Sequence, residues 1–124
     1  MGIFDWFRPG RTTLHPEAQW KVFLSEDAIS SEDQKGNSRK VAKDCLSSIA
    51  IETNDSGPWG ADVWWLMFDK DGKLACAFPQ GATGEEDAIK YLMGLNGFDH
   101  DAMISAMGCT DNKVFPVWKR QPNQ

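Results

Sequence analysis

A chain of 124 residues, 41% hydrophobic and 25% charged, can build one globular domain with a real core and is too short for two. Its formal net charge of −5 excludes nonspecific binding to nucleic acid or to an anionic membrane surface, since both need positive potential. A basic protein partner, or good solubility and nothing more, remains compatible with that charge.

Residues 1–16 read as an appendage. Pro9, Gly10 and Pro16 break regular structure, Arg8 and Arg11 reverse the charge of the body, and Ile3, Phe4, Trp6 and Phe7 still need burial against the domain or a neighbouring chain. Asp5 interrupts the apolar stretch, so the segment does not read as a signal peptide, and no run is long enough to cross a membrane. The domain proper is expected over residues 17–120, with a frayed polar tail over 121–124.

Residues 20–24 alternate as a first strand, with Trp20, Val22 and Leu24 on one face. Residues 28–33 form a weaker second strand, and the turn Lys35-Gly36-Asn37 leads into a third at residues 39–42. In residues 46–53, Ile49, Ile51 and Thr53 alternate with Ser48, Ala50 and Glu52, which predicts one buried and one wet face. Residues 54–60 are dense in turn formers and predict a loop. Residues 63–68 are apolar throughout and predict a strand covered on both faces. Asp69-Lys70-Asp71-Gly72 turns the chain into a strand over residues 74–78, ended by Pro79.

The period then changes. Thr83-Gly84-Glu85-Glu86 has the form of a capping box, followed by the stripe Ala88, Ile89, Leu92 and Met93, with Gly94 or Gly97 as the stop. Asp99 is the expected cap of a second helix with the stripe Ala102, Met103, Ala106 and Met107, stopped by Gly108. Residues 114–118 form a last strand, which Pro116 places at an edge or a bulge. This order predicts an α+β fold: a curved antiparallel sheet of about six strands, with two helices before the last, in the manner of a pleckstrin-homology-like roll.

The residues that could carry chemistry have simpler uses. His100 lies between Asp99 and Asp101, where capping and the helix dipole explain both acids; His15 sits in the appendage. Asp69, Asp71 and Gly72 lack the remaining ligands of a calcium loop. Gly81-Ala82-Thr83-Gly84 could cradle an anion on backbone amides, but three acids follow it at once. Cys45, Cys76 and Cys109 have no metal-ligand spacing and read as free thiols of a reducing compartment, which points to the cytoplasm. No nucleophile motif is present, so the chain reads as non-catalytic, with no metal and no cofactor.

What remains is surface. Glu26, Asp27, Glu32 and Asp33 fall in one hairpin region, and Asp55, Trp59 and Asp62 gather before the central strand. A tryptophan flanked by carboxylates can anchor an interface; alternatively Trp59 folds over the sheet end and the acids form a wet rim.

Ile51-Glu52-Thr53, Gly57-Pro58, Asp62-Val63-Trp64-Trp65-Leu66, Phe78-Pro79-Gln80-Gly81, Gly97-Phe98-Asp99 and Thr110-Asp111-Asn112 together resemble a family of small uncharacterised bacterial proteins, over roughly residues 46–118. In size and charge the chain also looks like the immunity proteins of bacterial toxin–immunity pairs, including contact-dependent growth inhibition systems. That likeness implies a cytoplasmic acidic protein that binds a cognate toxin domain and blocks its active site or substrate surface. On the surface reading of the residues, Glu26, Asp27, Glu32, Asp33, Asp55, Trp59 and Asp62 are the expected contacts to such a partner, a basic toxin and often a nuclease. Two other readings stay open. One is a pleckstrin-homology-like module that uses Lys35, Arg39, Lys40 and Lys43 to hold a lipid headgroup or peptide. The other is a small hydrolase working with clustered carboxylates.

Overall fold

The hairpin turns at residues 33–37 and 69–73 are written by the same device, an aspartate that folds back on its own backbone. Asp33 Oδ1 accepts from the Lys35 and Asn37 amides at 2.8 and 2.9 Å, and Asp69 Oδ1 accepts from the Asp71 and Lys73 amides at 2.9 and 3.1 Å. Gly36 and Gly72 complete the turns at φ 88° and 77°, a region costly for any residue with a Cβ. A computed structural model describes residues 20–33, 35–57, 60–109 and 111–121, with the backbone alone at 54–57 and 60–62.

Within those residues the elements run β1 (Lys21–Leu24), β2 (Ala28–Glu32), β3 (Ser38–Ala42), a 3-10 turn (Lys43–Cys45), β4 (Ser48–Gly57), β5 (Gly60–Phe68), β6 (Leu74–Pro79), α1 (Glu85–Met93), α2 (His100–Met107) and β7 (Lys113–Lys119). The fold is α+β, with antiparallel strands and two helices before the last strand, as the periodicities predict. The strands do not form one curved sheet of about six. Among the described residues there are seven, in a three-stranded sheet ordered β1-β2-β3 and a four-stranded sheet ordered β6-β5-β4-β7. The division falls at the 3-10 turn, which takes the chain out of one ladder before β4 starts the other. The smaller sheet then packs β2 and β3 against β6.

The larger sheet holds the core. Trp64, Trp65, Leu66 and Met67 are consecutive and all buried, so β5 is covered on both faces. Ile49, Ile51 and Thr53 of β4 are buried as the alternation predicts, but the face expected to be wet is not: Ala50 is buried and Ser48 and Glu52 are half-buried, because β4 lies inside the sheet between β5 and β7. The Trp65 ring lies nearly parallel to Phe78 at 6.3 Å and to Phe98 at 6.4 Å, and Trp20 meets Trp64 edge-on at 5.3 Å. Polar atoms inside are mostly spoken for. Thr53 Oγ1 donates to the Asp111 carbonyl at 2.6 Å, and Trp118 Nε1 donates to the Asn96 carbonyl at 2.9 Å. The Trp65 indole N–H is buried without an acceptor among the described residues, a desolvation cost of about 1–3 kcal/mol that the surrounding aromatic burial must offset.

Three local expectations are corrected. The loop expected at residues 54–60 is largely ladder: β4 continues to Gly57, which pairs with Gly60, through an irregularity between Asn54 and Gly57. The residue capping α1 is Gly84, not Thr83. Thr83 instead joins β1, donating its amide to the Trp20 carbonyl and accepting from the Val22 amide, both at 2.8 Å. This brings Gly84, at φ 87°, so close to β1 that a Cβ there would collide with the Val22 carbonyl oxygen. Finally, the buried stripe of α2 ends at Ala106, and Met107 is exposed. Asp99 caps α2 as expected, accepting from the Ala102 amide at 2.9 Å. Pro116 satisfies both of its alternatives, since β7 is an edge strand and slips register opposite Ile49 and Ala50.

Candidate binding surface

The smaller sheet has strands of four or five residues, and its two outer strands each bury a single side chain, Val22 in β1 and Val41 in β3. In β1, Val22 faces inward and is buried, which turns Phe23 outward, in a row with Ser30 of β2 and Lys40 of β3. Phe23 is 50% exposed. Leu24 belongs to the inner face but sits at the strand's end and is 36% exposed. The chain then turns at Ser25, whose Oγ accepts from the Asp27 and Ala28 amides at 3.3 and 3.1 Å. Glu26 and Asp27 are both exposed, and neither forms an ion pair with a described residue. Lys43 donates its amide to the Asp27 carbonyl at 2.8 Å. Its ammonium lies over the Tyr91 ring instead, 4.3 Å from the centroid. Two large apolar side chains and, one residue on, two acids with no ion pair among the described residues thus lie at one corner of the molecule.

The other acids of the sequence reading are not gathered there. Glu32 stands opposite Lys21 at the far end of β2, about 13 Å from the β1–β2 turn by strand rise. Asp33 is spent on its own turn, where Oδ2 also accepts from Asn37 Nδ2 at 3.2 Å. The four acids therefore form two separate pairs, because β2 carries its two ends to opposite sides. Asp55 and Asp62 lie on β4 and β5 as backbone positions, with side chains outside the description, and Trp59 lies outside the described residues. Phe23 and Leu24 were missed as surface candidates. The signal was present, because placing Trp20 and Val22 inward obliges Phe23 to point out.

Elsewhere the polar groups act locally. His100 is exposed and meets the Phe98 ring at 5.0 Å. Among the described residues no three His, Cys, Asp or Glu side chains come together as metal ligands do. The amides of the 81–84 segment, which an anion would need, are largely taken: Gly81 donates to Glu85 Oε1 at 2.9 Å, Ala82 to the Pro79 carbonyl and Thr83 to Trp20. Burial raises the Glu85 carboxyl above its ordinary range, partly opposed by that Gly81 N–H. Burial raises the Tyr91 phenol too, and the Arg120 charge opposes it. The Cys76 thiol is pushed up to about 11 by burial, against a hydrogen bond to Ser31 Oγ at 3.5 Å. Lys35, Arg39, Lys40 and Lys43 do not converge: Lys35 sits in the β2–β3 turn, Arg39 and Lys40 project to opposite faces of β3, and Lys43 lies on Tyr91.

Comparison of the chain with family models, with curated proteins and with solved structures finds no match in any of the three. No helix among the described residues is long and apolar enough to cross a membrane.

Proposed function

We propose that the protein is a non-catalytic binding protein of the immunity type, which neutralises a cognate basic toxin domain through the β1–β2 corner. The observation that carries this reading is the run Phe23-Leu24-Ser25-Glu26-Asp27, where two exposed apolar anchors precede two exposed acids that form no ion pair with a described residue. An aromatic side chain that becomes fully desolvated at an interface supplies a large share of affinity. Unpaired acids beside it attract a positively charged partner from a distance and raise the association rate. A nuclease domain is such a partner, because its substrate surface must hold phosphates. Glu32 and Asp33 fall outside this corner; Asp55, Trp59 and Asp62 stay candidates on sequence grounds.

The test is rescue of growth. A basic domain encoded beside this chain, expressed alone, should arrest growth, and co-expression of this chain should restore it. Phe23→Ser should abolish rescue while the protein stays folded. The double change Glu26→Lys and Asp27→Lys should slow association about tenfold at low salt and flatten its salt dependence. A harmless neighbour, or full rescue by the Phe23→Ser variant, overturns the proposal.

A further inference from the structure

The corner is tethered to the opposite end of the chain. Arg120, the residue after β7, is half-buried and gives its guanidinium to two carbonyls of the segment between the sheets: Nε donates to Leu46 at 2.8 Å and Nη2 to Lys43 at 2.9 Å. Its amide donates to the Ser47 carbonyl at 2.8 Å. The guanidinium also lies 5.5 Å from the centre of the Trp118 ring, and Trp118 is itself held by the Asn96 carbonyl. Lys43, gripped through its carbonyl, uses its amide to hold the Asp27 carbonyl at 2.8 Å. A continuous chain of hydrogen bonds therefore runs from Arg120 through the 3-10 turn to the β1–β2 corner.

We infer that Arg120 is a positioning residue for that corner: it sets where Glu26 and Asp27 stand relative to the larger sheet without itself meeting a partner. Two separate requirements meet at this corner. Ser25 shapes the turn internally, through bonds that stay within residues 25–28. Nothing in that local shape fixes the turn against the rest of the molecule, and the Lys43–Asp27 bond does. A planar guanidinium suits the task because two donors in a fixed fork reach two carbonyls at once, which a single ammonium cannot. The inference rests on the binding reading for its consequence, but the tether can be tested without any partner.

The experiment is amide hydrogen exchange and amide chemical shifts on the free protein and its Arg120→Lys and Arg120→Ala variants. Lys43 should exchange at least about tenfold faster in Arg120→Ala and to a lesser degree in Arg120→Lys, with the Asp27 amide resonance shifted, while Ile51 and Trp65 keep their protection. Unchanged Lys43 exchange overturns the tether. Equal acceleration at Lys43, Ile51 and Trp65 also overturns it, because Arg120 would then serve general stability. Should Arg120→Ala fail to fold, Arg120→Lys decides alone. With the basic domain that passes the rescue test, Arg120→Lys should dissociate faster with an unaltered association rate and salt slope, since its charge is unchanged. If no domain passes, the binding reading falls and the exchange data still decide the tether.

Discussion

The two sheets are built to different specifications. In the four-stranded sheet, β4 buries Ile49, Ala50, Ile51 and Thr53 and β5 buries Trp64 to Met67, and the Trp65 ring stacks with two phenylalanines. In the three-stranded sheet, β1 buries only Val22 and β3 only Val41, and the outward positions carry Lys21, Phe23, Lys40 and Glu32. The larger sheet supplies most of the buried area and so most of the folding free energy. The smaller one spends little on the core and keeps side chains outward, which is where binding groups must be. Core packing and outward-facing side chains are thus separated between two ladders joined by one 3-10 turn.

That separation can be broken or sharpened by substitution. The largest effect is expected in the larger sheet: Ile51→Ala should cost about 2–5 kcal/mol in denaturant unfolding, because β4 cannot collapse into the space left between β5 and β7. Phe23→Ala in the smaller sheet should stay within about 0.5 kcal/mol of the parent. Equal losses at the two sites would erase the distinction.

An intermediate effect is expected where the sheets and α1 meet. Gly84→Ala and Gly72→Ala both place a Cβ at positive φ, at a cost of about 1–2 kcal/mol. Only at Gly84 does the new atom strike backbone, the Val22 carbonyl, so that variant should lose at least twice as much. Similar melting temperatures for the two variants would show that β1 yields easily.

The smallest effect is electrostatic. Glu85 has its carboxyl raised by burial, so the native state holds its proton more tightly than the unfolded chain does. Its contribution is intact below about pH 4.5 and is lost as pH rises through the raised value. Glu85→Gln keeps an acceptor for the Gly81 amide and should melt with the parent at pH 4 but slightly above it at pH 7. A variant less stable at pH 7 would mean that the bond to Gly81 needs the charge.

Much of the fold was legible in local pattern. Alternation predicted the buried face of β4 though not the cover over Ala50, continuous apolarity predicted the double burial of β5, and Asp99 and Gly94 marked helix ends where they stand. The Thr83 cap was misread because a capping box is a statement about four residues, whereas Thr83 is claimed by β1, far away in sequence. The loop expected at residues 54–60 was misread for a related reason: turn formers can be carried inside a ladder when a partner strand lies beside them. The acids were found one by one but grouped wrongly, because nearness in sequence across β2 is distance in space.

Composition and periodicity alone therefore determined the α+β class, the identity of most core residues and the turns that aspartate and glycine write for themselves, since these depend on side-chain chemistry within a few residues. Only the tertiary structure decided that the strands divide into two sheets, that the Glu32 end of β2 stands against Lys21 and away from Glu26 and Asp27, and that Arg120 reaches the Lys43 carbonyl. Those outcomes depend on which distant carbonyl or apolar face a segment meets first, and no local propensity encodes that.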